Sequence, residues 1–413
     1  MSDLLTYKHS ISVTSQLYFC SAPIRIDSYD TCQFSCVYCF SRSRARRASL
    51  NGVHAANAAS LQKRFHRIRE GVIQSALDEF LLRRIPIQLG GLQDPFTPLE
   101  RENGVTLQIL KVLAEENYPT LISTKGDIFL QDEYLDQLTK MNLVFRLSAS
   151  GVSEHLRPKI DRRADSFPRV LEKISILRST GIKVALRIQP VIPSFEEVAL
   201  DMASQAANAG VHQVSFEYLK LPSEEIRHAM AGMKTSSGGN LIEWMSELGL
   251  KKVGPDWSLK PAAKEPFVVR ARKHCHRLGI KFGAGDTEFI PWSDGNGCCG
   301  SSDLVLDGKQ FDANFVGAIR QATASPDKAV RFQSLAERWI PTFSVGNYMD
   351  YRSRVPKAFV EGSSDWLVML QRRWNGGKSP YSPAFFHGIS STDEKDELGF
   401  TVYDAKQLAA ALR

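Results

Sequence analysis

The chain has 413 residues, 43% hydrophobic and 23% charged, which suits a folded globular protein and excludes a disordered or fibrous one. No apolar run is long enough to span a bilayer, and the start, MSDLLTYKHS, lacks the pattern of a secretory leader, so a cytoplasmic protein with no membrane partner is expected. The net charge of +7 is concentrated, because residues 42 to 69 hold Arg42, Arg44, Arg46, Arg47, Lys63, Arg64, Arg67 and Arg69 and no acid.

In chain order, short apolar strands alternate with helical patterns through about residue 225, the signature of βαβ units. Strands are predicted at 23–28, 85–90, 120–125, 143–149, 183–189 and 213–219. The clearest helix is predicted over 60–82, where Leu61, Phe65, Ile68, Val72, Ala76 and Phe80 recur at helical spacing. Further helices are predicted at 103–116, 131–140, 166–180 and 195–209, with Gly181 as a C-cap. Six such units predict an α/β fold, a partial (β/α)6 barrel spanning residues 1–225. An accessory region is expected at 226–302, and a mostly helical segment at 303–413 with helices around 312–323 and 329–338.

Strand side chains alternate between two faces, and the face turned to the helices must be apolar. That assigns Val184, Leu186 and Ile188 outward and Arg187 and Gln189 inward. By the same alternation Arg146, Ser148, Ser150, Ser215, Glu217, Arg25 and Asp27 turn inward. A closed barrel fills its interior with branched apolar groups. A polar interior instead implies a hollow barrel around a polar cofactor.

The chemistry is expected at Cys32-x3-Cys36-x2-Cys39, in the loop after the first strand. Seven cysteines in a long chain without a leader read as metal ligands or catalytic groups rather than disulfides. Three local thiolates can hold three corners of a [4Fe–4S] cluster and leave one iron open, whereas four would saturate it. A zinc site would require a fourth ligand.

Cys-x3-Cys-x2-Cys, with Tyr38 before the last cysteine and Phe40 after it, resembles the motif of the radical S-adenosylmethionine (SAM) superfamily. Within it the sequence is most similar to the spore photoproduct lyase-related, DNA repair photolyase-like branch. The residues carrying that similarity are Gly91-Leu92-Gln93-Asp94-Pro95-Phe96, Pro98-Leu99-Glu100-Arg101, Thr124-Lys125 and Pro190-Val191-Ile192-Pro193. The resemblance covers roughly residues 20–225 and implies a partial barrel whose cluster binds SAM at the open iron. Reductive cleavage would then give methionine and a 5′-deoxyadenosyl radical, with the electron coming from a flavodoxin- or ferredoxin-type reductant. It also implies that Gly90 and Gly91 lie near the SAM amino group, that Asp94 belongs to the cofactor-binding set, that Lys125 engages the SAM carboxylate, that Ser148 contacts SAM, and that the main chain at Tyr38 approaches the adenine. Arg187 and Gln189 join this cofactor-binding set by their inward face. The branch's donor cysteine just before the matching Asp is absent, since Leu92 and Gln93 stand there, so thymine-dimer repair is not expected.

Cys20, Cys275, Cys298 and Cys299 remain. The last three are candidates for a second cluster, which would fit a peptide- or protein-modifying radical enzyme; their alternatives are a thiol that returns a hydrogen atom and ordinary core packing. The basic run suggests nucleic acid as a candidate substrate, against a solvated helix face as the plainer reading. A non-catalytic iron–sulfur or zinc binding module is the reading from another functional class.

Overall fold

The structure, a computed structural model, describes residues 4–7, 10–14, 16–41, 52–253, 256–304, 312–336, 338, 373–376 and 382–413. Its centre is one eight-stranded sheet. The strands are β1 (Ser12–Val13), β2 (Ile24–Ile26), β3 (Ile87–Leu89), β4 (Thr120–Thr124), β5 (Leu143–Gly151), β6 (Lys183–Val191), β7 (Gln213–Tyr218) and β8 (Lys281–Ala284). They lie side by side in chain order, all parallel except for the antiparallel pairing of β1 with β2.

The six predicted strands are β2 to β7. The sheet runs on past residue 225, taking β8 from the later part of the chain. That strand is short and carries Gly283, so no apolar run announces it. The glycine is needed there, because a Cβ would lie 2.8 Å from both the Cys298 carbonyl and Gln213 Nε2.

Helices cover the outer face: α1 (Ala58–Arg69), α2 (Ala76–Leu82), α3 (Pro98–Asn103), α4 (Val105–Glu115), α5 (Asp132–Thr139), α6 (Phe167–Ser179), α7 (Glu196–Ala209), α8 (Glu224–Ala231), α9 (Leu241–Glu247), α10 (Pro261–Arg277) and α11 (Phe315–Ala324). The single helix expected over 60–82 is two. Gly71 turns the chain at φ +78°, and Ser75 caps α2 by accepting from the Asp78 N–H. Capping satisfies a backbone donor that no helical carbonyl can reach. Gly181 has φ +82°, as its expected place after α6 requires. The described part of 303–413 is mixed rather than mostly helical. Residues Ala329–Val330, Ser390–Lys395 and Thr401–Asp404 form a small antiparallel sheet, and 329–338 opens with a strand before a helical turn at Gln333–Ala336.

The predicted alternation of faces holds. Phe145, Leu147, Val184, Leu186, Ile188, Val214, Phe216 and Tyr218 join the main core between sheet and helices. Leu121, Val144 and Ala185, on the opposite face, form a separate small cluster with Ala22, Cys299 and Leu304. This second cluster shows that the sheet is rolled. A flat sheet would hold β3 and β7 about 19 Å apart, four strand spacings. Yet Gln88 on β3 donates to the Ala22 carbonyl at 2.6 Å, and Gln213 on β7 donates to the Cys298 carbonyl at 2.9 Å. Cys20, Ala22, Cys298 and Cys299 pack together. The segment around Cys298 therefore plugs the barrel floor, at the N-terminal ends of the strands. The C-terminal ends form the mouth.

Of the basic run, Arg42, Arg44, Arg46 and Arg47 lie outside the described residues. On α1, Arg64 and Arg67 both pair with the buried Asp78, at 2.5 and 2.7 Å, and Arg69 pairs with Glu116. Three of the four cations on this helix are thus engaged within the protein.

Candidate cluster and cofactor site

The loop carrying Cys32, Cys36 and Cys39 leaves the mouth end of β2. It is pinned at three points. Val37 N–H donates to the Ile160 carbonyl at 2.8 Å, Gln33 Oε1 accepts from Leu99 N–H at 2.9 Å, and Arg163 donates to the Gln33 carbonyl at 3.2 Å. Cys36 is buried, while Cys32 and Cys39 are half-buried. The three thiols lie close enough for Cys39 to act electrostatically on both others. Burial pushes the Cys32 thiol up to about 12, with nearby Asp94 adding to the rise, and burial likewise raises Cys36. Such thiols stay neutral unless a metal centre takes the sulfur.

Among the described residues no three His, Cys, Asp or Glu side chains converge on a point that one metal ion would fill. A cubane takes one thiolate at each of several separate irons, and one buried and two half-buried cysteines on one pinned loop suit it.

Beside the loop sits an ion pair the sequence did not announce. Lys125 Nζ lies 3.0 Å from Asp161 Oδ2, and Tyr38 OH donates to Asp161 Oδ1. The Lys125 ammonium also sits 5.7 Å from the centre of the Tyr38 ring. Burial alone would lower Lys125, but Asp161 and then Cys36 outweigh it and hold the ammonium charged. Burial alone would raise Asp161, but Lys125 and the Tyr38 hydroxyl hold it below the usual carboxylate range. Lys125, expected to meet the SAM carboxylate, therefore already has a carboxylate partner. Asp161 falls in a charged stretch without periodicity, which is why the pattern did not single it out.

Asp94 acts as a clamp. Its Oδ1 accepts from Phe96 N–H at 2.9 Å and Thr124 Oγ1 at 2.7 Å, and its Oδ2 accepts from Lys125 N–H at 2.7 Å. It ties the loop after β3 to the end of β4. Gly90 and Gly91 are glycines for reasons internal to the protein. Gly90 has φ +85°, and a Cβ there would lie 2.5 Å from the Ser123 carbonyl; a Cβ on Gly91 would lie 2.5 Å from Arg25 Cδ. Arg25 in turn pairs with Asp27 at 2.7 Å, and Asp27 accepts from the Leu92 and Gln93 N–H groups. Glu100, in the other quoted motif, is fully buried. It accepts from Tyr29 OH, Tyr134 OH, Thr106 N–H and Leu107 N–H at 2.5 to 2.9 Å, clamping the start of α4.

Ser148 and Gln189 are half-buried on the inner face, and neither side chain hydrogen-bonds a described residue. Arg187 is held by Glu217 at 2.5 Å, and Glu217 also accepts from Lys220 at 2.8 Å. Burial would raise Glu217, but Lys220 and Arg187 bring it down to about 2. Behind them the fully buried Lys264 bridges Asp286 at 2.7 Å and Glu288 at 2.8 Å. Lys220, Lys264, Asp286 and Glu288 were missed because they lie outside the six strands, in segments that periodicity does not join to the barrel.

The late cysteines separate. Cys275 lies on α10 in the main core, whereas Cys298 and Cys299 sit at the barrel floor with Cys20. The structure does not unite the expected trio.

No family model matches the sequence. An uncharacterized protein of Methanocaldococcus jannaschii is 23% identical over 209 residues, covering 49% of this chain and 73% of that protein. Among solved structures, a variant of spore photoproduct lyase aligns with TM-score 0.50 and 13% identity, covering 67% of this chain and 80% of that one. Spore photoproduct lyase with bound AdoMet and dinucleoside spore photoproduct gives TM-score 0.49 at 14% identity, over 66% and 80%. The first of these likenesses establishes the fold: a mixed α/β structure with a mostly parallel sheet, as in the radical SAM enzyme spore photoproduct lyase.

Proposed function

We propose that this chain is a radical SAM enzyme acting on an organic substrate held inside the barrel. The observation that carries the reading is Cys32-x3-Cys36-x2-Cys39 on a pinned loop at the mouth of a barrel with the spore photoproduct lyase fold. When bound there, a [4Fe–4S] cluster with one open iron supplies the electron that splits SAM into methionine and a 5′-deoxyadenosyl radical able to take hydrogen from a substrate.

The chain's own residues do the rest. Cys32, Cys36 and Cys39 would hold three irons. The Lys125–Asp161–Tyr38 cluster fixes the far wall of the cysteine loop and keeps an ammonium charged beside Cys36. Ser148 and Gln189 offer unengaged polar groups to SAM on the inner face. Arg187 is oriented by Glu217 across the neighbouring strand. The one-electron donor is a separate protein of flavodoxin or ferredoxin type.

The test is anaerobic reconstitution followed by iron and sulfide counting. About four irons and four sulfides per chain are expected, with loss of both in a Cys32→Ala/Cys36→Ala/Cys39→Ala variant. Dithionite plus SAM should give 5′-deoxyadenosine. One zinc and no sulfide would overturn the proposal.

A further inference from the structure

Arg146 projects from the middle of β5 into the barrel and is 4% exposed. Burying a guanidinium costs several kcal/mol unless a carboxylate and a full set of acceptors compensate. Arg146 has neither. Its Nε and Nη2 donate to one oxygen, Ser123 Oγ, at 3.0 and 2.7 Å. No described carboxylate pairs with it. A guanidinium carries five N–H donors, so two bonds leave three without a described acceptor. Its Nη1, which has no described partner, is not sealed off from solvent, so the two N–H groups on that nitrogen reach the accessible space inside the barrel.

The neighbouring charges do not supply the missing anion. Glu217, Asp286 and Glu288 are the carboxylates on the β7–β8 side of the interior, and Arg187, Lys220 and Lys264 already engage them. Four cations, counting Arg146, face three carboxylates. Burial pushes Asp286 up, which can only add to the positive excess. Beneath Arg146 lies the apolar floor of Leu121, Val144 and Ala185, with the thiols of Cys20, Cys298 and Cys299. The Cys20 and Cys298 thiols are neutral at ordinary pH, since burial raises Cys20 and lifts Cys298 to about 11. Among the described residues, the interior therefore contains a deep, fixed positive charge with no carboxylate partner above an apolar floor.

We infer that Arg146 is the anchor for an anionic group of the substrate, a carboxylate or a phosphate, inserted to the middle of the barrel. This deepens the proposed function, because it states what class of molecule the chamber takes: a small acid whose anionic end points away from the mouth. A carboxylate or phosphate matches the planar fork of the guanidinium and supplies the acceptors that Ser123 does not.

The test uses Cys298, a half-buried thiol within reach of the Arg146 charge. Full-length protein is alkylated under reducing, anaerobic conditions with iodoacetate or with neutral iodoacetamide, and each cysteine is read separately by peptide mass spectrometry. An anion subsite should raise the iodoacetate-to-iodoacetamide rate ratio at Cys298 about tenfold over glutathione, the effect of roughly 1.4 kcal/mol. Arg146→Met should return the ratio to the glutathione value, and Arg146→Lys should keep part of it. Inorganic phosphate and acetate, added separately, should slow the iodoacetate reaction, and the stronger competitor identifies the group. A wild-type ratio equal to that of glutathione, no competition by either anion, no reaction of Cys298 with either reagent, or a ratio unchanged in Arg146→Met would each overturn the inference. If Arg146→Met does not fold, the wild-type ratio and competition still decide. The assay needs neither cluster nor SAM, so its failure leaves the radical SAM reading standing, and failure of that reading leaves this result intact.

Discussion

Replacing Lys125 separates a direct role in cofactor binding from the role its geometry shows. Lys125→Met leaves Asp161, whose side chain is fully buried, with Tyr38 OH and no cation. Removing one partner of a buried ion pair costs about 3–5 kcal/mol, because the remaining charge is stranded in a poor solvent. Asp161 sits below the usual carboxylate range mainly because Lys125 offsets the penalty of burial, so its carboxyl should shift upward in the variant. The loss of stability should therefore shrink as the pH falls through the new carboxyl pKa and Asp161 becomes neutral. Lys125→Met/Asp161→Asn should lose less than the sum of the two single variants, by at least about 1 kcal/mol. Urea unfolding monitored by fluorescence at pH 5 and pH 8, read as the midpoint and slope of the first transition, measures both effects. Lys125→Met within about 1 kcal/mol of wild type, or strict additivity in the double variant, would show that the buried pair does not hold this wall together. It would also return Lys125 to the simpler role of a ligand for the SAM carboxylate.

Glu217 gives a pH dependence. Its folded value of about 2 lies below its ordinary 4.5, so its stabilisation is complete above pH 4.5 and is lost as the pH falls toward 2. The difference is worth about 3 kcal/mol, and the stability curve of Glu217→Gln should lack that drop; parallel acid-unfolding curves would rule it out. Glu100→Gln turns an acceptor of four hydrogen bonds into a group that accepts with one oxygen only, leaving two buried donors facing an amide NH2. A loss of about 2–6 kcal/mol in urea unfolding, with unchanged SAM affinity in the folded protein by equilibrium dialysis, is expected; a loss below about 1 kcal/mol would contradict the clamp.

The sequence by itself determined a good deal. Six of the eight strands were legible because period-two alternation puts Val184, Leu186 and Ile188 under helices and their neighbours inside, and short range is enough to establish that. The cysteine triple was legible because all three thiols lie within eight residues, so no tertiary fold is needed to bring them together. The break between α1 and α2 was also written locally, in Gly71 and Ser75, but the apolar spacing ran across it and concealed it.

Tertiary structure decided the rest. Asp161 meets Lys125 across 36 residues, and Cys20 meets Cys299 across a separation of 279. No periodic signal spans such distances, because pairing depends on how the rolled sheet brings remote loops to one end of the barrel. The same holds for the motif residues. The family resemblance marked Asp94, Glu100, Gly90 and Gly91, but only packing showed that each is occupied by the protein itself, through backbone donors or steric contact. Arg146 is the converse case. Alternation places it inside from sequence alone, whereas the lack of any partnering carboxylate depends on every element that lines the interior, and that emerges only when the chain is folded.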